Sequence, residues 1–423
     1  MRAVVAKGKP TMITLDPKQA EAVEWLSTKR RALLQYPAGG GKTIIAATAL
    51  DRVSKAKPRS RRVRVGWMAN TNEQVGQAYK AMMLVQFGVD VKSSEAAAAW
   101  AQHEYASRLI EFRAACSAAE TDWSGVDVLV VDEAHHVATA PQWQRQVDTA
   151  AGARWAFTAT PPEDPALLAG LLDRFGNEHM VVNREAVASR LAAARVVMLP
   201  DTNEGLRGLM DAEIDTLIRR RRHCWMGGRI PMLERTIMAL RRDNKPDARA
   251  IADLEQAEQQ LWGQVAWQVC IATGIVTNGA RNDAVVRLAL EHRNDQTLIL
   301  VNQIEHGQIL SERIPGSSMA FSKMGKKKRA AALEAFAAGR CKCLLATSLA
   351  DEGLDLPNAN VLVLVSGGKS NAKTEQRTGR VLRTFAGKTH GMIYDFLDLQ
   401  HPLMAKHSRA RVDLYRRLGY SLA

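Results

Sequence analysis

The chain has 423 residues, enough for two or three domains, and its 46% hydrophobic and 24% charged residues exclude a disordered chain. Lys and Arg number 58 against 44 acidic residues, and the resulting net charge of +14 favours a polyanionic partner, with nucleic acid the first candidate. Five cysteines with no C-x-x-C pair argue against a disulfide framework or a zinc module.

The N-terminal stretch MRAVVAKGKPTMITL lacks the long apolar core of a signal peptide. The apolar runs elsewhere, such as VLVLV at 361–365, have the length of strands and are too short to cross a bilayer. We therefore expect a soluble protein of a reducing cytoplasm with no membrane partner.

Short apolar runs alternate with helix-like segments along most of the chain, which predicts buried strands in mostly parallel sheets. The predicted strands are RALLQY (31–36), RVGWM (64–68), VLVV (128–131), RWAFT (154–158), TLILV (297–301), CLLAT (343–347), VLVLV (361–365) and GMIYDF (391–396). Between the two groups, from about 201 to 274, apolar residues recur at helical spacing in strongly charged text. The predicted fold class is therefore α/β, with one lobe over 1–195, a helical insertion or linker over 196–278 and a second lobe over 279–423.

The stretch LLQYPAGGGKTIIAAT (33–48) has the layout of a phosphate-binding loop between a strand and a helix. The backbone N–H groups of Gly39, Gly40 and Gly41 can face phosphate oxygens at the positive end of a helix dipole. Lys42 would reach the β- and γ-phosphates of ATP, and the Thr43 hydroxyl would bind Mg²⁺. The usual pattern has a glycine where this chain has Tyr36, so a glycine-rich turn beside a chance Lys-Thr is the alternative.

The segment VLVVDEAHH (128–136) predicts the acidic half of the same site. Asp132, at the carboxyl end of a buried strand, would hold Mg²⁺ through water, and Glu133 would act as the general base that polarises the attacking water. A solvated acidic turn is the alternative. Both halves in this order, one strand–helix unit apart, favour a nucleotide-hydrolysing site.

DEAH at 132–135 together with PAGGGKT resembles the ATPase core of superfamily 2 helicases, in which the first loop position is commonly not glycine. The resemblance implies two RecA-like P-loop lobes that use ATP and Mg²⁺. In the family's order, LDPKQAEAV (15–23) places Gln19 at the residue that contacts adenine. GWMANTNEQVGQ (66–77) places Thr71 in a motif that contacts the nucleic-acid backbone, with Asn70 where proline is usual. The resemblance also implies coupling of hydrolysis to movement through the DEAH histidine and FTATPP (157–162), that is His135, Thr158 and Thr160.

The second half carries two further segments that resemble the family. LLATSLADEGLDLP (344–357) implies a backbone-phosphate contact for Thr347 and a nucleotide border at Gly353 and Asp355. EQRTGRVLRT (375–384) has the family's Q-R-x-G-R-x-x-R spacing, which implies catalytic roles at the γ-phosphate for Gln376, Arg380 and Arg383. On a helix these three side chains share one face, and a guanidinium supplied across an interface stabilises transition-state charge. An arginine-rich solvated helix is the alternative.

Basic clusters occur at 54–64, 219–222, 241–245 and 322–329, and each is either a solvated face or a sequence-independent phosphate contact. Lys326 and Lys327 are the preferred nucleic-acid contacts among them, because they lie at a predicted helix start shortly before the Thr347 motif.

The predicted function is an ATP-dependent DNA helicase or translocase of the DEAH-box type, a monomer acting on single-stranded or forked DNA without sequence preference. Its compact size suits a phage or bacterial replication or repair enzyme. An RNA helicase is the close alternative, because the motifs do not name the sugar. An ATP-gated clamp, annealing or remodelling factor that does not unwind processively is the alternative from another class.

Overall fold

The structure is a computed structural model that describes residues 13–58, 61–103, 109–190, 192–201, 204–219, 235–242, 248–321, 323–347, 356, 358–366, 371–382, 388 and 390–423. The chain divides into two units, the first built chiefly on residues up to 193 and the second chiefly on those from 194 onward. Residues 375–389 group with the first unit by their contacts.

The first unit is a six-stranded sheet in the order β3-β2-β4-β5-β1-β6, and the neighbouring strands are parallel. Its strands are β1 (Arg31–Gln35), β2 (Val63–Ala69), β3 (Ile110–Cys116), β4 (Val128–Val131), β5 (Ala153–Thr158) and β6 (His179–Val181). Its helices are α1 (Pro17–Ser27), α2 (Lys42–Lys55), α3 (Asn72–Phe87), α4 (Ser93–His103), α5 (His135–Thr139), α6 (Pro141–Thr149) and α7 (Pro165–Phe175), with 3₁₀ segments at Ser117–Ala119 and Arg184–Arg190.

The central strands of this sheet are buried on both faces. Leu34 and Val130 pack into the core on one face with Trp67, while Leu33 and Leu129 pack into the core on the other. Because side chains alternate along a strand, continuous apolar runs supply both cores at once. This arrangement fixes the strand ends, at which the functional loops begin.

The second unit is a seven-stranded sheet in the order β13-β7-β12-β11-β8-β10-β9. Its strands are β7 (Ala193–Asp201), β8 (Thr297–Leu300), β9 (Ser318–Ala320), β10 (Cys343–Ala346), β11 (Val361–Leu364), β12 (His390–Asp398) and β13 (Ser421–Leu422). Its helices are α8 (Glu204–Arg219), α9 (Ala248–Ile271), α10 (Gly279–Glu291), α11 (Ile304–Arg313), α12 (Lys326–Ala337) and α14 (Pro402–Arg417), and a π-helical turn, Ala272–Val276, follows α9. Helix α13 (Asn371–Val381) begins in the second unit, and its residues from 375 onward group with the first.

The prediction of two parallel-sheet α/β lobes is confirmed. The middle of the chain is helical in α8, α9 and residues 235–242. Met210 of α8 and Val269 of α9 share a buried cluster with Met404 of α14, so these helices pack on the second unit. The residues 196–201, predicted as the start of the insertion, lie within β7 of the second sheet. The predicted domain boundaries stay a prediction.

A buried ion network ties the second unit together. The Arg281 guanidinium of α10 bonds to Asp201 at 3.1 Å and to Asp398, and it donates to the Val365 carbonyl at 2.7 Å. The Arg281 side chain has no exposed surface, so these two carboxylates compensate its charge away from water. Within the described part of the chain, no helix has the length and apolar character needed to cross a membrane.

Candidate nucleotide site

The loop between β1 and α2 has the backbone that a phosphate cradle requires. Gly39 and Gly41 have φ of 81° and 93°, in the left-handed region where a Cβ is disfavoured. A Cβ on Gly40 would lie 2.6 Å from Cε1 of Tyr36, so only glycine fits above that buried ring. Tyr36, which stands where the usual pattern has glycine, therefore packs beneath the loop.

Gln19 holds this loop from α1. Its side-chain Nε2 donates to the Gly40 carbonyl at 2.8 Å, and its Oε1 accepts from the Asp16 N–H at 3.3 Å. The Asp16 carboxylate in turn accepts from the Gln19 N–H at 2.8 Å, which completes a capping box at the start of α1. Both ends of the Gln19 amide are thus engaged within the protein, and its predicted contact with adenine stays a prediction.

The order of the strands brings the two predicted halves of the site to one edge. Strand β5 lies between β1 and β4, with Gln35 opposite Thr158 and Val131 opposite Ala156. Because the strands are parallel, the loop after β1, the acidic segment after β4 and Thr158 at the end of β5 all follow carboxyl ends. Sites of α/β sheets form at this edge.

The acidic segment follows β4 in a constrained turn. The Asp132 N–H donates to the Met68 carbonyl at 3.0 Å, and the Ala134 N–H donates to the Phe157 carbonyl at 2.9 Å. Between these two anchors Glu133 has φ of 52°, a left-handed conformation that is uncommon for a non-glycine residue. Such strain persists only where the surroundings impose it and is frequent at functional sites.

His135 links the acidic segment to the end of β5. Its Nδ1 lies 3.3 Å from the Thr158 hydroxyl and 3.6 Å from Oε2 of Glu133. The Thr158 hydroxyl also accepts from the Thr160 N–H at 3.2 Å. The structure therefore brings together four residues that the sequence analysis assigned to catalysis and coupling.

The electrostatics of the acidic pair favour a cation. Burial, together with the charge of Glu133, raises the pKa of Asp132 to about 7, and Lys42 opposes this shift. Burial lowers the pKa of His135 below its usual value and so favours the neutral imidazole, although Glu133 acts in the opposite direction.

The residues present fit ATP and Mg²⁺. Lys42 begins α2, directly after the glycine cradle, and its Nζ donates to the Tyr36 carbonyl at 3.3 Å. Thr43 follows on the same first turn, and Asp132 supplies a carboxylate whose ionised form a divalent cation would stabilise. Oε2 of Glu133 is buried and accepts no hydrogen bond from the described residues.

The predicted nucleic-acid contacts lie on separate elements. The Thr71 hydroxyl caps α3, where it accepts from the Gln74 N–H at 3.3 Å. Thr347 follows β10, and its buried hydroxyl has no hydrogen-bond partner among the described residues. Lys327 is exposed on the first turn of α12, and the side chain of Lys326 lies outside the described residues. These assignments stay predictions.

The predicted arginine motif is described only in part. Gly379 lies against the loop, since a Cβ added there would be 2.9 Å from the Cβ of Ala38. The predicted residues Gly353, Asp355 and Arg383 and the side chains of Gln376 and Arg380 lie outside the described residues.

Two positioning roles were missed by the sequence analysis. Asp16 and Gln74 complete capping boxes, with Thr71 as the partner of Gln74. The signal was present, because D-P-K-Q at 16–19 and T-N-E-Q at 71–74 have a capping residue followed three positions later by glutamine.

Models of two known protein families match this chain, one in the first unit and one chiefly in the second. A family described as "Type III restriction enzyme, res subunit" matches residues 12–163, which contain the loop and the acidic segment. A second, described as "Helicase conserved C-terminal domain", matches residues 280–385, and the two together cover more than half of the chain. The chain belongs to superfamily 2 of the helicases.

Individual relatives of this helicase chain are distant. "Putative helicase 22" of the Sulfolobus islandicus filamentous virus is 36% identical over 115 residues, which are 26% of this chain and 20% of that protein. "Putative DNA 3'-5' helicase Rad25" of Halobacterium salinarum is 29% identical over 107 residues, 25% of this chain and 18% of the relative. "Probable ATP-dependent RNA helicase ddx49" of Dictyostelium discoideum is 29% identical over 104 residues, 23% and 20% of the two chains. The helicase chain thus spans about a fifth of the length of these curated relatives.

Two solved structures share the fold. The Hef helicase domain of Pyrococcus furiosus matches with a TM-score of 0.53 and 15% identity, over 93% of this chain and 97% of that one. A point variant of S. cerevisiae Dbp5 bound to RNA and ADP BeF3 matches with a TM-score of 0.55 and 11% identity, over 97% of this chain and 94% of that one. The two lobes of the helicase chain are RecA-like.

Proposed function

We propose that this helicase chain is an ATP-dependent DNA helicase or translocase that hydrolyses ATP at the loop after β1. One observation carries the proposal: Glu133, His135 and Thr158 are in contact at one edge of the first sheet, and the charge of Lys42, from a third strand–loop segment, acts on Asp132 and His135 there. A chance glycine turn beside Lys-Thr would have no reason to face this acidic segment.

In this proposal Glu133 is the general base. Its buried Oε2 is free to accept a hydrogen bond from a water molecule, and the constrained turn aims it with little reorganisation. Lys42 and the N–H groups of the glycine loop bind the phosphate oxygens. Bound ATP would supply the phosphoanhydride bond that is hydrolysed. Thr43 and Asp132 would hold the Mg²⁺ ion that accompanies it.

The contact between His135 and Thr158 couples the carboxylate to the segment after β5. A change in charge at Glu133 alters the field at the imidazole 3.6 Å away, and the imidazole shares a hydrogen bond with Thr158. The same link reaches Thr160, because the Thr160 N–H donates a hydrogen bond to the Thr158 hydroxyl. We assign Gln376, Arg380 and Arg383 to the γ-phosphate and Gly353 and Asp355 to the border of the nucleotide, on the sequence resemblance.

DNA is the proposed partner, through sequence-independent contacts that include Thr71, Thr347, Lys326 and Lys327. The support is the +14 charge of the chain and the Halobacterium salinarum relative, whose name includes a DNA 3'-5' helicase. RNA is the second candidate, favoured by the similarity to a probable RNA helicase and to a structure that holds RNA.

The test compares ATP hydrolysis with single-stranded DNA, duplex DNA, forked DNA and RNA, followed by strand displacement on the best activator. We expect single-stranded or forked DNA to stimulate hydrolysis most, and forked DNA to be unwound. Preferential stimulation by RNA would replace the DNA assignment. Stimulated hydrolysis without displacement or translocation would favour an ATP-gated clamp or annealing factor.

A further inference from the structure

A second charged site lies at the other edge of the first sheet. A cavity of about 590 Å³ is lined by the first residues of β2, β4 and β5, namely Val63, Val128 and Ala153. The nucleotide loop and the acidic segment follow the opposite ends of the strands, about 17 Å away along a five-residue strand such as β1. The cavity is therefore distinct from the ATP site and from the edge that carries Thr71.

The charges around this cavity are strongly unequal. Five cations line it: Lys29 and Arg30 before β1, Lys57 and Arg61 before β2, and Arg64 at the start of β2. The acidic side chain of the lining is Asp127, and Glu178, which pairs with Lys29, lies nearby. This leaves a local excess of positive charge, where a ligand with several negative charges gains most.

Asp127 orients two of the cations without neutralising both. One oxygen accepts from the Arg61 guanidinium at 3.1 Å, and the other accepts from the Arg64 N–H at 2.8 Å and lies 3.6 Å from Arg64 Nε. The Arg61 and Arg64 side chains are 71% and 51% exposed, so their remaining N–H groups face solvent. Lys57 is exposed and has no ion pair within the described residues, and Arg30 bonds to a carbonyl, that of Ala151 at 3.4 Å.

We propose that this cavity and its basic rim bind the phosphodiester backbone of a nucleic-acid strand, as a contact separate from the strand path at the carboxyl edge. The inference rests on the proposed function for the class of polymer. The basic segment 54–64, one of the four clusters in the sequence, supplies three of the five cations.

The geometry favours a polymer over a single free anion. A lone phosphate is held where several donors converge on one point, whereas these cations come from two loops and the start of β2 around a cavity of about 590 Å³. Exposed arginines and a lysine that contact successive phosphates give binding without base readout.

The test uses the full chain and the variant Arg30→Gln/Lys57→Gln, which leaves the Asp127 ion pairs and the ATP site intact. Binding of a fluorescent single-stranded oligonucleotide is measured between about 50 and 200 mM salt. Each lost phosphate contact makes the negative slope of log K against log salt less steep by about 0.7, so we expect the magnitude of the slope to fall by about 1.4. The matched control is Arg293→Gln/Lys342→Gln, two exposed cations before β8 and β10, and we expect its slope to stay at the wild-type value.

A second measurement needs no variant. Acetylation of lysines in the wild-type chain, with and without the oligonucleotide, reports which ammonium groups the strand covers. We expect several-fold protection of Lys57 and none of Lys342.

An unchanged slope together with unprotected Lys57 would overturn the inference, as would an equal loss of slope in the control. If inorganic tripolyphosphate protects Lys57 and the oligonucleotide does not, the site binds a small polyphosphate and the nucleic-acid assignment is wrong. Wild-type protein that binds no nucleic acid at all would refute the proposed function instead. Basal ATP hydrolysis in the variant should match wild type.

Discussion

Tyr36 occupies the position where phosphate-loop patterns have a glycine, and the structure gives it a physical role. Its ring is buried and lies directly beneath Gly40, in the space that a Cβ on that glycine would enter. A large residue at the first loop position and glycine at the fifth are therefore complementary choices. Tyr36, which made the loop ambiguous in the sequence, therefore packs against the loop and helps to determine its shape.

A Gly40→Ala substitution tests this complementarity. We expect at least ~10-fold weaker ATP binding, because the new methyl group clashes with Tyr36 and displaces the loop. Gly170→Ala on α7 is the control, since a Cβ there meets no atom within 4 Å. In the double variant Tyr36→Val/Gly40→Ala we expect the affinity for ATP to recover in part. Titration with a fluorescent ATP analogue measures the affinity of each variant. Equal affinity for the single and the double variant would contradict the role given to Tyr36.

Substitutions of Lys42 and Glu133 should have different effects, one on ATP binding and the other on the rate of ATP hydrolysis. Lys42→Ala removes a cation from the phosphates, so we expect ATP binding itself to weaken. Glu133→Gln keeps the shape of the side chain and loses the base, so we expect the hydrolysis rate to fall by about 10²–10⁴ with ATP still bound. Single-turnover hydrolysis and equilibrium binding measure the two effects. Normal turnover in Glu133→Gln would refute the general-base assignment.

At the scale of elements, the ends of β7, β11 and β12 in the second unit depend on one arginine of α10. Arg281→Leu leaves the Asp201 and Asp398 carboxylates buried without their cation. We expect a loss of about 3–5 kcal/mol in the free energy of unfolding. Arg287→Gln, on the exposed face of the same helix, should change it by less than about 0.5 kcal/mol. Denaturant titration compares the two variants, and equal stability would contradict the network.

His306 of α11 makes the same unit sensitive to acid. Its Nε2 shares a hydrogen bond with Oδ1 of Asn282 at 2.7 Å, and burial, aided by the charge of Arg281, lowers its pKa to about 4. A histidine with a lowered pKa stabilises the fold above its unfolded pKa of about 6.5, and this contribution is lost as the pH falls toward 4.

The full contribution is up to about 3 kcal/mol, and we expect the stability of the wild type to decline from pH 6.5 to 4. In His306→Gln this part of the decline should be missing, so the two unfolding free energies converge in acid. His390→Gln, at an exposed position, is the control for the loss of a histidine elsewhere in the chain. Parallel profiles for wild type and His306→Gln would show that this histidine does not carry the effect.

The strands that the sequence predicted are those with continuous apolar runs. β4 was predicted with its observed bounds, 128–131, and β8, β10 and β11 to within one residue at the carboxyl end. β3 was missed because it is an edge strand in which Glu111 and Arg113 alternate with apolar residues, as expected where one face meets solvent. β7 was not predicted as a strand, because its pairing with the distant β12 and β13 has no local signal.

At the scale of the whole molecule, the sequence supplied the members of the nucleotide site but not their arrangement. The loop and the acidic segment carry local motifs. The contact of His135 with Thr158 depends on β5 inserting between β1 and β4, which is a property of the strand order. The hold of Gln19 on Gly40 likewise joins α1 to a loop 21 residues further along the chain. Tertiary pairing of this kind cannot be inferred from spacing alone.

The basic rim at the amino edge of the first sheet shows the same limit for charge. From the sequence alone, the basic cluster at 54–64 is either a solvated face or a phosphate contact. Lys29 and Arg30 lie in another segment of the sequence. Only the fold places these cations around one cavity.

The central claim is that ATP hydrolysis at the loop after β1 drives action on nucleic acid. Its most direct test is the steady-state rate of ATP hydrolysis by the wild-type chain with and without single-stranded DNA, with Glu133→Gln alongside. We expect a rate at least ~10-fold higher with DNA and no stimulated rate in the variant. Equal rates with and without DNA, and with RNA in its place, would contradict it.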